Sequence, residues 1–250
     1  MTRRNFLGSL LGASMTLTAH SRRTSAATRS IRAVALDGFT TFDPRPLRAL
    51  AERLFPGRGG ELASAWRTRQ FEYSWLRVAM HRYTDFWTVT EEALIYAAQA
   101  SRLELSAVQR SALMDAVLRL PAYPDARPAL AALRDAGLRV AFLTNLSPRM
   151  LDALIDHAGL RSLVDLGLST DAVRSYKPDP RTYQLGVDAL GLDREEIAFV
   201  ASSGWDAAGA RAFGYPTLWV NRVGQPPEQL GVSADAVGES LNDLTSFVRR

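Results

Sequence analysis

From Ile31 onward, short unbroken apolar runs alternate with longer stretches in which apolar residues recur every three or four positions. The runs at Val34–Leu36, "LRVAFLTN", "LVDLGLST", "EIAFVAS" and "YPTLWVN" predict strands. The stretches "RPALAALRDAG", "SPRMLDALIDHAG", "DPRTYQLGVDALG" and "WDAAGARAFG" predict helices between them. Ser147-Pro148 and Asp179-Pro180 have the form of an N-cap followed by a first-turn proline, and Gly137, Gly159, Gly191 and Gly214 fall where helices should stop. Strands that are apolar throughout and separated by helices predict an α/β fold, a Rossmann-like parallel sheet covered on both faces.

The interval between the first and second strands has another texture. It shows helical periodicity and few strand signals, which predicts a cap-like helical subdomain over 45–120, inserted into a core formed by 31–44 and 121–250. The aromatic-rich "SAWRTRQFEYSWLRVAMHRYTDFW" reads on spacing alone as core of that cap. "FPGRGG" opens no helix after a buried strand, so it reads as a turn and not as a phosphate loop.

Composition narrows the chemistry. The 250 residues include no cysteine and three histidines, which excludes thiolate nucleophiles and argues against histidine-rich metal clusters and a Ser-His-Asp triad. The first 27 residues place Arg3 and Arg4 before an apolar stretch from Phe6 to about Ala19, then small residues at Ser25-Ala26-Ala27. That order predicts a twin-arginine export signal over 1–27 and a periplasmic or secreted protein. The apolar part is shorter than the roughly 20 residues a membrane-spanning helix needs. The formal net charge of +4 rests on Arg3, Arg4, Arg22 and Arg23, so cleavage near Ala27 would leave 26 basic against 26 acidic residues. A near-neutral mature chain implies neither a nucleic-acid partner nor stable membrane association.

In an open parallel sheet, ligands bind beyond the carboxyl ends of the strands. The residues there are Asp37, Thr144-Asn145, the loop ending at Lys177, and Ser202 to Asp206. Among 30 lysines and arginines Lys177 is the one lysine, a compact point charge kept where every other cation is a planar fork. Beside such a lysine Asp37 would be an ionised, nucleophilic carboxylate; as a cap it would need a helix after it, and "LDGF" opens no obvious one. Thr144 and Asn145 could hold an anion with a hydroxyl, an amide and free backbone N–H groups, and a generic strand-to-helix turn would look similar. Asp206 suits a helix N-terminus and gains weight from its company.

These four groups, with "FPGRGGELASAWRTRQFEYSWLR", "STDAVRSYKPDPRTY" and "FVASSGWDAAGARAFGYPTLWVNR", resemble the haloacid dehalogenase superfamily, and within it the type II (S)-2-haloacid dehalogenases, over roughly Ile31 to Val223. In the superfamily's phosphatases an acid two residues after the nucleophile protonates a leaving alcohol, and a later acid helps bind magnesium. Here those places hold Phe39 and Ser202. A halide leaves without a proton, so the resemblance implies hydrolysis of short (S)-2-haloalkanoic acids through an ester on Asp37, with no metal and no cofactor. It further implies that Lys177 neutralises the substrate–nucleophile region, Tyr183 supports it and Asp206 helps activate water. Arg67 and Asn145 would receive the halide with the edge of Phe86, and Thr144 the substrate carboxylate. Phe39, Phe71 and Trp205 would line an alkyl pocket. Read from the residues alone, Arg67 could equally be a surface charge.

Three departures from the pattern stand out. The segment after Asp37 is one residue short with Phe39 for tyrosine, so either Thr40 or Thr41 matches the family threonine, and Thr41 is taken. In the last motif the family's serine and asparagine become Ala201 and Ser203, positions that orient nucleophile and water. This leaves two other readings: a catalytically impaired protein binding small carboxylates in the cleft, or a drifted magnesium phosphatase, which would need another acid. The expected partner is a small 2-haloacid, and related enzymes imply a homodimer.

Overall fold

A computed structural model describes residues 30–249, so the expected export signal lies outside the described residues. Six strands form one parallel sheet: β1 (Ala33–Leu36), β2 (Arg139–Thr144), β3 (Leu166–Ser169), β4 (Ile197–Ala201), β5 (Thr217–Val220) and β6 (Ala236–Gly238), in the order β3-β2-β1-β4-β5-β6. The first five are the five apolar runs of the sequence. The sixth, "AVG", lies among serines, glycines and acids and carries no readable strand pattern.

Alternate residues of the central strand serve opposite faces. Val34 and Leu36 join a core with α6 (Ala126–Asp135), α7 (Pro148–His157) and α10 (Leu244–Phe247). Ala33 and Ala35 face α8 (Pro180–Leu190) and α9 (Gly204–Phe213). With both faces covered, every β1 residue is buried, which is why the run shows no polar alternation. The caps form as the sequence indicates: Ser147 accepts from Met150 N–H, Asp179 accepts from Arg181 N–H, and Gly137, Gly159, Gly191 and Gly214 all take positive φ.

Between β1 and β2 the chain forms a one-turn helix α1 (Gly38–Thr41), then α2 (Arg45–Leu54), α3 (Gly59–Ala79), α4 (Phe86–Ala100) and α5 (Ala107–Val117). "FPGRGG" is a turn that runs into α3. At its end, a Cβ on Gly59 would lie 2.2 Å from the backbone of Ala51, so the two helices cross at this contact. Trp66 and Gln70 tie α3 to α4 by donating to Thr90 O and Thr90 Oγ1.

The two chain segments joining this insertion to the sheet are paired by a bridge between Phe42 and Ala122, flanked by Asp43 N–H to Pro121 O and Tyr123 N–H to Thr41 O. Arg222, after β5, donates to Thr40 O and to Asp125 and lies over the Tyr123 ring, so one side chain touches both segments. At the other side of the insertion, Tyr83 donates to Asp171 and Tyr176 to Thr84 O. Among the described residues, no helix is long and apolar enough to cross a membrane.

Candidate active site

The carboxyl ends of β1, β2 and β4 lie side by side, with Leu36 in register with Phe142 and Val200. The strand order reverses between β1 and β4, where open α/β sheets form their ligand crevice. Asp37 leaves β1 at this point and caps α1 by accepting from Phe39 N–H at 3.1 Å through Oδ2. The expectation that "LDGF" opens no helix is therefore corrected. Four residues are too few for a periodic signal, yet they form a capped turn, and the cap holds the carboxylate in a fixed rotamer.

Gly38 makes the close approach possible. A Cβ there would fall 2.8 Å from Leu146 Cδ1 and 3.0 Å from Thr144 Oγ1. Thr144, at the end of β2, accepts from Leu146 N–H and so faces this same crevice. Asn145 is buried and accepts through Oδ1 from Lys177 N–H at 3.0 Å and from the Thr170 hydroxyl at 3.4 Å. With Oδ1 engaged twice, the amide's own N–H donors are what it has left to offer an anion.

Lys177 is fully buried, and its Nζ stands 3.3 Å from Asp37 Oδ1 and 3.0 Å from Asp206 Oδ2, over the Phe199 ring. Asp206, in the first turn of α9, also accepts from the Tyr183 hydroxyl at 2.8 Å. Burial pushes the Asp206 carboxyl up to about 6; Lys177 pulls it down and the charge of Asp37 pushes it up. The same burial, with Asp206 beside it, raises the Tyr183 phenol well above its ordinary value and keeps it a neutral donor. One cation thus faces two carboxylates, an arrangement a guanidinium's larger fork would not fit.

Arg67, on α3, comes down from the helical insertion. Its guanidinium lies 4.0 Å over the Phe39 ring and 4.3 Å over the Phe71 ring. Burial lowers its pKa to about 10 while the charge of Asp37 acts in the opposite direction, so the side chain stays charged at neutral pH. Its hydrogen bond, 3.4 Å to Gln70, is long and neutral, and a cation so placed can receive an anion. Phe71 and Trp75 pack edge-on against Trp205, and the Trp75 indole donates to Lys177 O. Phe39, Phe71 and Trp205 thus stand around the guanidinium and the lysine loop as an aromatic wall.

Three residues chosen from the sequence, Thr41 and Ser203 for the catalytic group and Phe86 for the halide, make no side-chain hydrogen bond or ring contact with Asp37, Lys177 or Arg67. Thr41 is buried but its hydroxyl meets only that of Thr40, and it is Thr40 that donates to Asp37 O at 2.6 Å, because position 40 is one turn on from the cap. Ser203 caps α9 without a side-chain hydrogen bond. Phe86, buried at the start of α4, packs on Tyr176. One residue expected at the strand ends, but given no role there, does reach the nucleophile: Ser202 donates to Asp37 Oδ2 at 2.8 Å. Two adjacent serines follow β4, and which of them turns toward β1 depends on where the strand ends, at Ala201.

A sheet-end aspartate paired to one buried lysine, under a helical insertion that supplies an arginine, defines a hydrolase that works through a carboxylate nucleophile. The family model described as haloacid dehalogenase-like hydrolase matches residues 16–214, and the chain belongs to that family. The chain is 46% identical over 218 residues to an (S)-2-haloacid dehalogenase of Pseudomonas sp. (strain YL), covering 87% of this chain and 94% of that one. The solved structure of the L-2-haloacid dehalogenase RSc1362 superposes with a TM-score of 0.87 at 42% identity, over 89% of this chain and all of that one. The L-2-haloacid dehalogenase of Xanthobacter autotrophicus with chloropropionic acid covalently bound superposes with a TM-score of 0.82 at 37% identity, over 88% and 98% of the two chains.

Proposed function

We propose that the protein is an (S)-2-haloacid dehalogenase that converts short (S)-2-haloalkanoic acids to (R)-2-hydroxy acids through an ester on Asp37. The observation that carries this reading is the company of Asp37: Lys177 on one oxygen, Phe39 two residues on in place of an acid, and the Arg67 cation across the crevice. A carboxylate so placed can attack carbon, and a halide leaves without a proton donor. It needs positive charge and N–H groups to receive it, which Arg67 and Asn145 are placed to give. Displacement from the rear inverts C2, which turns the S acid into the R product. Water then attacks the Asp37 carbonyl carbon with Asp206 as the base, and the ester opens. Thr144, whose hydroxyl lies close against Gly38, is the hydroxyl assigned to the substrate carboxylate, and the ring wall of Phe39, Phe71 and Trp205 suits a short alkyl group.

The test is free halide released from (S)-2-chloropropionate in the presence of EDTA. Continuous release is expected, with loss of at least a thousandfold in Asp37→Asn, since an amide oxygen is a poor nucleophile (about 4 kcal/mol of barrier). Activity that collapses on chelation would instead support a phosphatase-like, metal-assisted site. We further propose export through the twin-arginine leader over 1–27, supported by Arg3-Arg4, the short apolar stretch and the small residues ending at Ala27.

A further inference from the structure

The two oxygens of Asp37 have different surroundings. Oδ2 accepts two hydrogen bonds from neutral donors, Ser202 Oγ at 2.8 Å and Phe39 N–H at 3.1 Å. Among the described residues, Oδ1 has the Lys177 ammonium as its hydrogen-bond partner, at 3.3 Å. Such asymmetry decides which oxygen reacts. An oxygen held by two preorganised donors is the one whose charge the site is built to stabilise, and the less engaged oxygen keeps a lone pair for attack.

We infer that Ser202 is a catalytic residue: its hydroxyl and the Phe39 N–H form an oxyanion hole on Asp37 Oδ2 for hydrolysis of the ester. This inference rests on the dehalogenase reading above and adds to it the division of labour within the carboxylate. Oδ1 attacks C2, the O–C2 bond forms, and the halide departs with the electron pair of the C–halogen bond. In the ester, Oδ2 is the carbonyl oxygen. Water adds to Cγ and gives a proton to Asp206, and the developing negative charge collects on Oδ2 between Ser202 and Phe39. When the tetrahedral adduct collapses, Cγ–Oδ1 breaks and the alkoxide takes a proton from Lys177, which recovers one from Asp206. Lys177 Nζ is within reach of both groups, so no further acid is required. Asp37 ends with Oδ2 and the oxygen of water, and it loses water's second proton to solvent to become a carboxylate again.

The inference also accounts for the altered last motif. Ala201 brings no hydroxyl to the end of β4 and the Ser203 side chain makes no capping bond. The hydroxyl one residue beyond the strand reaches the nucleophile in their place. Since the Phe39 N–H is fixed by α1 and the Ser202 hydroxyl by the turn after β4, neither donor has to reorganise as charge develops.

Ser202→Ala and Ser202→Thr, each checked by thermal melting, are to be compared with the unaltered enzyme in rapid-quench halide release and in steady-state turnover on (S)-2-chloropropionate. Expected for Ser202→Ala is a first-turnover burst of about one halide per site at nearly the normal rate, then turnover about a hundredfold slower. Intact-mass analysis of the quenched protein should show the ester accumulating, and Ser202→Thr, which keeps the hydroxyl, should restore much of the turnover. Equal slowing of burst and turnover, or no slowing of either, overturns the role of Ser202. Absence of halide release by the unaltered enzyme overturns the dehalogenase reading itself, so the two failures are told apart.

Discussion

Asp206 concentrates the electrostatics of the site. Its carboxyl sits at about 6, above the ordinary 3.8, chiefly because it is buried. A raised carboxyl is protonated in the folded protein over a range where the unfolded chain is already ionised. Stability from this group is therefore full below about pH 4 and declines as pH rises toward 6. Activity has the opposite sign, because the base must be ionised. We expect ester hydrolysis to fall about tenfold per pH unit below pH 6, while first-turnover halide release is affected less. Rapid-quench halide assays at pH 5 and pH 7 check this, and a burst that declines in parallel with turnover would remove Asp206 from the hydrolytic step. Lys177 was legible in the sequence because it is the sole lysine, Asp37 because it ends an apolar run, and Asp206 because it suits a helix N-terminus in that company. Ser202 was not legible as a partner of Asp37. Two neighbouring serines look alike until the strand's end fixes which one turns inward.

At the level of elements, the strands and flanking helices announce themselves because burial on two faces leaves uninterrupted apolar runs and because Pro and Gly mark the helix ends. The elements that escape notice are too short to show a period: α1, with four residues, and β6, with three. Yet α1 sets the geometry of the reaction, for it aims Phe39 N–H at Asp37 and brings Gly38 against Leu146 and Thr144. Gly38→Ala should force those neighbours apart, with a loss of about 1–3 kcal/mol of stability. The displacement also moves the nucleophile, so turnover should fall by more than the melting shift explains. A thermal melt together with the halide assay separates the two; unchanged values in both would mean that the close approach is slack.

For the whole molecule, the charge distribution and the export proposal belong together. The four arginines that precede Thr28 account for the excess of positive charge, so under the export proposal the processed chain should behave as a near-neutral protein. Expression of the full chain in a host with twin-arginine export is expected to yield periplasmic protein starting close to Thr28. Replacement of both Arg3 and Arg4 by lysine should retain it in the cytoplasm. N-terminal sequencing of the two fractions decides, and an unprocessed cytoplasmic chain would reject the proposal.

The placement of Arg67 carries a consequence for the end of the reaction cycle. The guanidinium is held between a ring that follows the nucleophile, Phe39, and a ring on its own helix, Phe71, so its two walls belong to opposite sides of the crevice. A hinge opening at the paired segments around Phe42 and Ala122 would pull the cation off Phe39 and let water reach it. The anion receptor would then come apart as the crevice opens. In such an opening, a halide ion gripped firmly enough to be a good leaving group would not have to be bound weakly in order to escape.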